Sequence, residues 1–241
     1  MRRSAEVEFM PRFAAGMIFA VDETADPPVA AFAGSCGAYT RRDVFITAAH
    51  CIPANRTLII ALEGDNNGRL VRGCVKHPTT DIAVLVTNPP EPDPFASQVF
   101  HRPGNQVIID GGDFICYGFP AEGSPENRPT GRTIRGNIQR YFNYNAPNGN
   151  QYFAMEMSCP APAGLSGSML AYLNRPDIPI GVVTTNYDSY VLLDRLEEVE
   201  KNGAIYREKI SRVVSYGIAA FLINEQTWLD ERIAELIARS R

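Results

Sequence analysis

Three short segments carry residues whose types and settings suit chemistry. The first, Phe45-Ile46-Thr47-Ala48-Ala49-His50-Cys51, sets a histidine just beyond an apolar strand, with small alanines that let the ring sit close to other backbone. A histidine so placed is either a packed structural residue or a general base facing a cleft, because imidazole titrates near neutrality. The second, Asp81-Ile82-Ala83-Val84-Leu85, opens an apolar strand on a carboxylate. That aspartate is either a turn acceptor after Pro78-Thr79-Thr80 or a buried group held by a partner. The third, Ala163-Gly164-Leu165-Ser166-Gly167-Ser168-Met169-Leu170, surrounds a hydroxyl with glycines. Glycine permits the backbone geometry that exposes a serine oxygen and turns amide N–H groups inward, although Gly-x-Ser-Gly also arises by chance in glycine-rich loops. Together the three offer a base, an orienting acid and a nucleophile.

The elements that must position them read as strands. Short apolar segments recur at Met17–Val21, Val44–Thr47, Thr57–Leu62, Ile82–Val86, Gln106–Ile109, Phe114–Tyr117, Tyr152–Met155 and Ile180–Val183. They are rich in β-branched and aromatic residues and bounded by turn formers, which indicates an all-β barrel or sandwich. Asn88-Pro89-Pro90-Glu91-Pro92-Asp93-Pro94 cannot continue a ladder and reads as the connection between two halves. Pro120 to Thr130 and Asn143 to Asn150 read as polar loops. Val191 to Lys201, apolar at Leu192, Leu193, Leu196 and Val199, predicts a short helix stopped by Asn202-Gly203. A strand over Val213 to Phe221 follows. Asn224 is then expected to cap a helix whose Trp228, Leu229, Ile233, Leu236 and Ile237 share one face.

Taken with their order, His then Asp then Ser, these segments resemble the trypsin-like (chymotrypsin-fold) serine peptidase superfamily, in its bacterial form. The Thr47-Ala48-Ala49-His50-Cys51 string matches that family's histidine motif closely. The Gly-x-Ser-x-Gly elbow of α/β-hydrolases does not fit, since Ser168 stands where its last glycine belongs. The likeness runs over roughly residues 14 to 222 and includes Cys36-Gly37, Tyr117-Gly118-Phe119-Pro120 and the strand at Ile180. It implies one peptidase domain over 1–241, with two six-stranded antiparallel barrels (about 12–88 and 105–222), a connection at about 88–104, and a C-terminal helix at about 223–240. It also implies a serine endopeptidase in which Ser166 attacks, His50 is the base and Asp81 orients it. The N–H groups of Gly164 and Ser166 would bind the oxyanion, and no metal or organic cofactor is required.

The chain departs from the animal digestive enzymes at Leu165, where those carry an aspartate that pairs with a trimmed N-terminus. Leucine cannot form that pair, so zymogen-style activation is not expected. By the same resemblance Pro160 falls at the base of the primary pocket, and Thr184, Thr185 and Asn186 line the substrate groove. Proline at that base argues against basic specificity, although Asp188 offers a nearby carboxylate; alternatively Asp188 is a solvated loop residue. Two further readings stay open: a module silent until a partner or ligand orders its oxyanion loop, or one that only binds peptides; and an esterase of this fold.

Composition limits the alternatives. Hydrophobic residues make up 45% and charged residues 21% of 241, the balance of a globular chain with a sizeable core. The net charge of -4, with no basic cluster beyond arginine pairs, argues against nucleic acid as a partner. Glu6, Glu8 and Pro11 interrupt the segment where a secretory signal would begin, so Phe13 to Val21 reads as a first strand. No apolar run reaches the ~18 residues of a membrane span. Five cysteines without C-x-x-C spacing fit a reducing cytoplasm and no metal site. By the family resemblance, Cys36 and Cys51 sit where a disulfide around the histidine loop would lie and could bridge if oxidised. The expected partners are a polypeptide substrate and a regulatory protein.

Overall fold

The structure, a computed structural model, describes residues 9–63, 68–88, 95–104, 108–121, 129–147, 149–199 and 205–239, and only the backbone of 191–199 and 205–209. After a four-residue helix α1 (Pro11–Ala14), the first six strands are β1 (Ala15–Asp22), β2 (Val29–Ala38), β3 (Val44–Thr47), β4 (Thr57–Leu62), β5 (Arg69–Lys76) and β6 (Ala83–Thr87). They close antiparallel in the order β1-β2-β3-β6-β5-β4. The next six are β7 (Asp113–Gly118), β8 (Arg132–Asn145), β9 (Gln151–Met157), β10 (Met169–Tyr172), β11 (Pro179–Val199) and β12 (Ile205–Phe221). They close in the order β10-β11-β12-β9-β8-β7, and helix α2 (Gln226–Arg239) ends the fold. No helix among the described residues is long and apolar enough to cross a membrane.

Side-chain alternation explains the first barrel. Leu58, Ile60 and Leu62 of β4 point inward onto Ile18, Phe45 and Leu85, while their neighbours are partly exposed. Each such side chain removed from water contributes about 1.5–3 kcal/mol. Strands β3 and β6 are buried on both faces, hence their unbroken apolar runs. Phe45 and Leu85 fill the barrel, whereas Val44, Ile46 and Val84 pack against Met169, Val182 and Ala220 of the second barrel and Leu229 of α2. The surface between the barrels is therefore a core in its own right.

Several expectations need correction. Val191 to Val199 is not a helix but the outer part of β11, paired in register with β12 from Gly181↔Phe221 to Val199↔Ile205. A bulge between Leu192 and Asp194 breaks the two-residue alternation that marks a strand, and antiparallel pairing with the next strand, β12, overrides the local helical spacing. Asn202-Gly203, expected as a helix stop, lies outside the described residues. Ile108 and Ile109 are exposed and belong to no strand, while Gln106 and Val107 lie outside the described residues. Asn143 to Asn145 belong to β8 rather than to a loop. Asn224 sits inside the 3₁₀ turn Ile223–Glu225 and makes no capping bond, although the face at Leu229 and Leu236 packs as expected. Residues 89–94 of the proline-rich connection and 122–128 of the Pro120 loop also lie outside the described residues.

Candidate active site

Strand pairing brings the first two segments together. Thr47 of β3 pairs with Ala83 of β6, so His50, three residues past one, meets Asp81, two residues before the other. His50 occupies the 3₁₀ turn Ala49–Cys51. Its backbone N–H donates to Asp81 Oδ1 at 3.0 Å, and its Nδ1 lies 2.7 Å from Asp81 Oδ2. A carboxylate only accepts, so the proton sits on Nδ1 and Nε2 is left as the basic nitrogen. The Asp81 hydrogen bond, reinforced by Cys51 and opposed by burial, raises the His50 pKa well above 6.5.

The third segment meets them across the barrel interface. Gly167 N–H donates to the Val183 carbonyl at 2.7 Å and Val183 N–H to Ser168 O at 2.9 Å, which seats the serine turn on β11. Gly167 adopts φ +89°, and a Cβ there would come within 1.9 Å of the Ser35 carbonyl, so only glycine fits. Ser35 of β2 reaches over from the first barrel. Its N–H donates to Ser166 O at 2.8 Å and its Oγ to Gly164 O at 2.8 Å. The Ser166 hydroxyl donates to the Thr184 carbonyl at 3.1 Å, and among the described residues it makes no hydrogen bond to His50.

The loop before the serine has a defined orientation. Leu165 N–H bonds to Pro162 O at 3.0 Å and Gly164 has φ +89°, which makes Pro162–Leu165 a type II turn. The Ala163 carbonyl in the middle of that turn accepts the Ala121 N–H at 2.8 Å. A trans peptide holds its N–H opposite its C=O, so Gly164 N–H points away from Ala121. Among the described residues the N–H groups of Gly164 and Ser166 have no acceptor, leaving both free to donate.

A cavity of about 290 Å³ adjoins His50 and Asp81, walled by Tyr144, Ala146, Pro147, Tyr152, Thr184 and Thr185. A second, of about 570 Å³, opens on the opposite flank of His50 beside Phe32, Ala33 and Cys51. Thr184 and Thr185, expected in the substrate groove, line the first cavity. Asn186 instead bonds to Ala161, its Nδ2 to the carbonyl and its Oδ1 from the N–H, both at 2.7 Å. Pro160 is exposed next to that contact. Asp188 is an exposed strand residue that accepts the Ser215 hydroxyl at 2.6 Å. Ser35, Ala121 and the Thr184 carbonyl escaped sequence reasoning. Only Ser35, a hydroxyl amid an apolar strand, gave any signal. Among the described residues no cluster of His, Cys, Asp or Glu could hold a metal ion.

This two-barrel architecture is that of the trypsin-like serine proteases. The chain is similar to the active form of the Rv3671c protease from M. tuberculosis, with a TM-score of 0.60 at 15% identity over 91% of this chain and 81% of that one. The inactive form of the same protease gives a TM-score of 0.55 at 15% identity, over 88% and 84%. The HtrA-type protease AlgW, solved with a decapeptide, gives 0.62 at 16% identity, over 95% of this chain and 66% of that one. No protein-family model and no curated protein matches the chain.

Proposed function

We propose that the protein is a serine endopeptidase working through Ser166, His50 and Asp81. The observation that carries this reading is the two-point hold of Asp81 on His50, which fixes the ring with Nε2 as the base. In the proposed reaction Ser166 Oγ rotates off the Thr184 carbonyl and attacks a peptide carbonyl while His50 Nε2 takes its proton. The oxyanion receives the N–H groups of Gly164 and Ser166, a contribution of about 3–4 kcal/mol per donor. His50 then protonates the leaving amine, and water releases the acyl group by the same steps in reverse. The reaction draws on no metal or organic cofactor.

A bacterial, cytoplasmic protein is part of the same proposal. All five cysteines are free thiols, which fits a reducing compartment. A second reading, a module that awaits a partner or ligand, is favoured by the Ser166–Thr184 bond, which takes the hydroxyl away from the base. The Ala121–Ala163 bond favours the first, because it holds the loop before the serine in one orientation. Fluorophosphonate labelling decides between them. Labelling of wild type and none of Ser166→Ala, together with peptide cleavage, is expected; an unlabelled wild type sinks the endopeptidase reading.

A further inference from the structure

Two spaces flank the Ser166–Thr184 contact, and they differ. On one side the segment Cys159–Ala161 lies against β11 and β12. Gly217 N–H donates to Cys159 O at 2.8 Å, and Asn186, which faces Gly217 in register, closes both bonds to Ala161. A Cβ on Gly217 would stand 2.8 Å from Met157 Sδ and 3.3 Å from Ala161 Cβ, so the room beneath Asn186 is filled. The Asn186 amide stands exposed at the mouth while Ala161 is buried under it. Displacing that amide strips partners from both main-chain groups of Ala161, which favours the closed arrangement.

The other side is open. The cavity next to His50 is walled by the rings of Tyr144 and Tyr152 with Ala146 and Pro147. Beside them lie the uncharged polar Thr79, Asn150, Thr184 and Thr185, and among the described residues its ionisable groups besides the tyrosines are His50 and Asp81. Tyr152 is fixed in place, since its hydroxyl donates to Thr184 Oγ1, which itself donates to the Ile218 carbonyl. A rigid, largely apolar cavity of this kind takes an apolar side chain.

We propose that Asn186 is a specificity-determining residue: it restricts the substrate residue bearing the scissile carbonyl to small side chains. Recognition moves to the Tyr144–Tyr152 cavity, which takes an apolar side chain from a neighbouring substrate residue. The substrate class is therefore a polypeptide with a small residue at the cleaved bond and an apolar one beside it. This rests on the endopeptidase reading of Ser166.

The test is a cleavage profile over peptides varied at these two positions, for wild type, Asn186→Gly and Ala146→Phe. Wild type is expected to cleave after Ala, Gly or Ser at least about tenfold faster than after Phe or Arg, and Asn186→Gly to narrow that ratio to within about threefold. Ala146→Phe, which fills the open cavity, is expected to erase the preference for a neighbouring Leu over Gly. Each ratio is internal to one protein, so a lower yield of folded variant does not alter it. An active wild type that cleaves equally well after Phe, or a ratio unmoved in Asn186→Gly, overturns the proposal and leaves the endopeptidase reading intact. If wild type takes no fluorophosphonate label, that reading fails, and the same ratios are then measured as peptide affinities of the Ser166→Ala protein. Equal affinity for Ala- and Phe-bearing peptides there overturns the proposal as well.

Discussion

Ser166 and Thr184 are joined by a hydrogen bond from the serine hydroxyl to the threonine carbonyl, 3.1 Å long. The Ser166 hydroxyl thereby rests beside β11 while Asp81 holds His50 through Nδ1, and among the described residues His50 Nε2 makes no hydrogen bond. In the proposed mechanism the Ser166 hydroxyl must leave the Thr184 carbonyl before His50 can take its proton. The turn on which Ser166 sits is bonded to Ser35 and Val183 throughout.

The His50–Asp81 pair sets the pH response. In the proposed mechanism His50 acts as a base only when neutral, so its raised pKa should move the acid limb of the kcat/KM profile well above pH 6.5. Asp81→Asn should bring that limb back toward 6.5 and lower kcat by about 10⁴-fold, the scale seen when a triad acid is neutralised. Stability runs the opposite way: the pair's contribution is full below 6.5 and is lost as pH rises through the folded-state pKa. Paired pH–rate and pH–denaturation curves check both directions.

Gly164→Ala tests the oxyanion loop. At φ +89° a side chain is strained, and its Cβ would come within 2.7 Å of the Phe119 carbonyl. The turn should reorient and carry the N–H out of place, lowering kcat by about 10²–10³-fold. Peptide affinity, measured on Gly164→Ala combined with Ser166→Ala, should change little. A wild-type kcat in Gly164→Ala would remove Gly164 from the mechanism.

His77 fastens the loop that carries Asp81. Its Nδ1 accepts the N–H groups of Thr80 at 2.8 Å and Thr79 at 3.2 Å, and its Nε2 lies 3.1 Å from Glu225, just before α2. Trp228 of α2 packs edge-on against the ring at 4.6 Å. His77→Ala should cost about 1–3 kcal/mol in denaturation, because the amide of the buried Thr80 loses its acceptor. His77→Asn, whose Oδ1 can accept from the same N–H groups, should recover much of that loss. Burial lowers the His77 pKa, with Glu225 opposing, so this contribution is full above pH 6.5 and is lost as pH falls through the folded-state value. An unchanged melting temperature in His77→Ala would show that α2 does not hold the loop through this residue.

The sequence made the barrels and the meeting of His50 with Asp81 legible because both rest on side-chain pattern. Apolar runs at β3 and β6 mark strands buried on both faces, and the two polar residues stand just beyond them. What stayed hidden is made of main chain. The Ala121 N–H, the Thr184 carbonyl and the Ala161 peptide carry no signature in residue type, yet they orient the serine loop and hold Asn186. The outer hairpin is hidden for a different reason: a bulge disturbs its alternation, and its apolar residues fall at helical spacing.

Ser35 belongs to the first barrel, but it donates to Ser166 O and Gly164 O and accepts the Phe119 N–H of the second, while its carbonyl accepts the Thr47 hydroxyl. Mechanically, this residue is the rivet of a joint. Parting the barrels by one hydrogen-bond length disconnects the serine turn while every strand ladder stays whole. If the endopeptidase proposal holds, turnover should act as a strain gauge for barrel docking, lost at denaturant concentrations where the circular-dichroism signal of the strands is still intact.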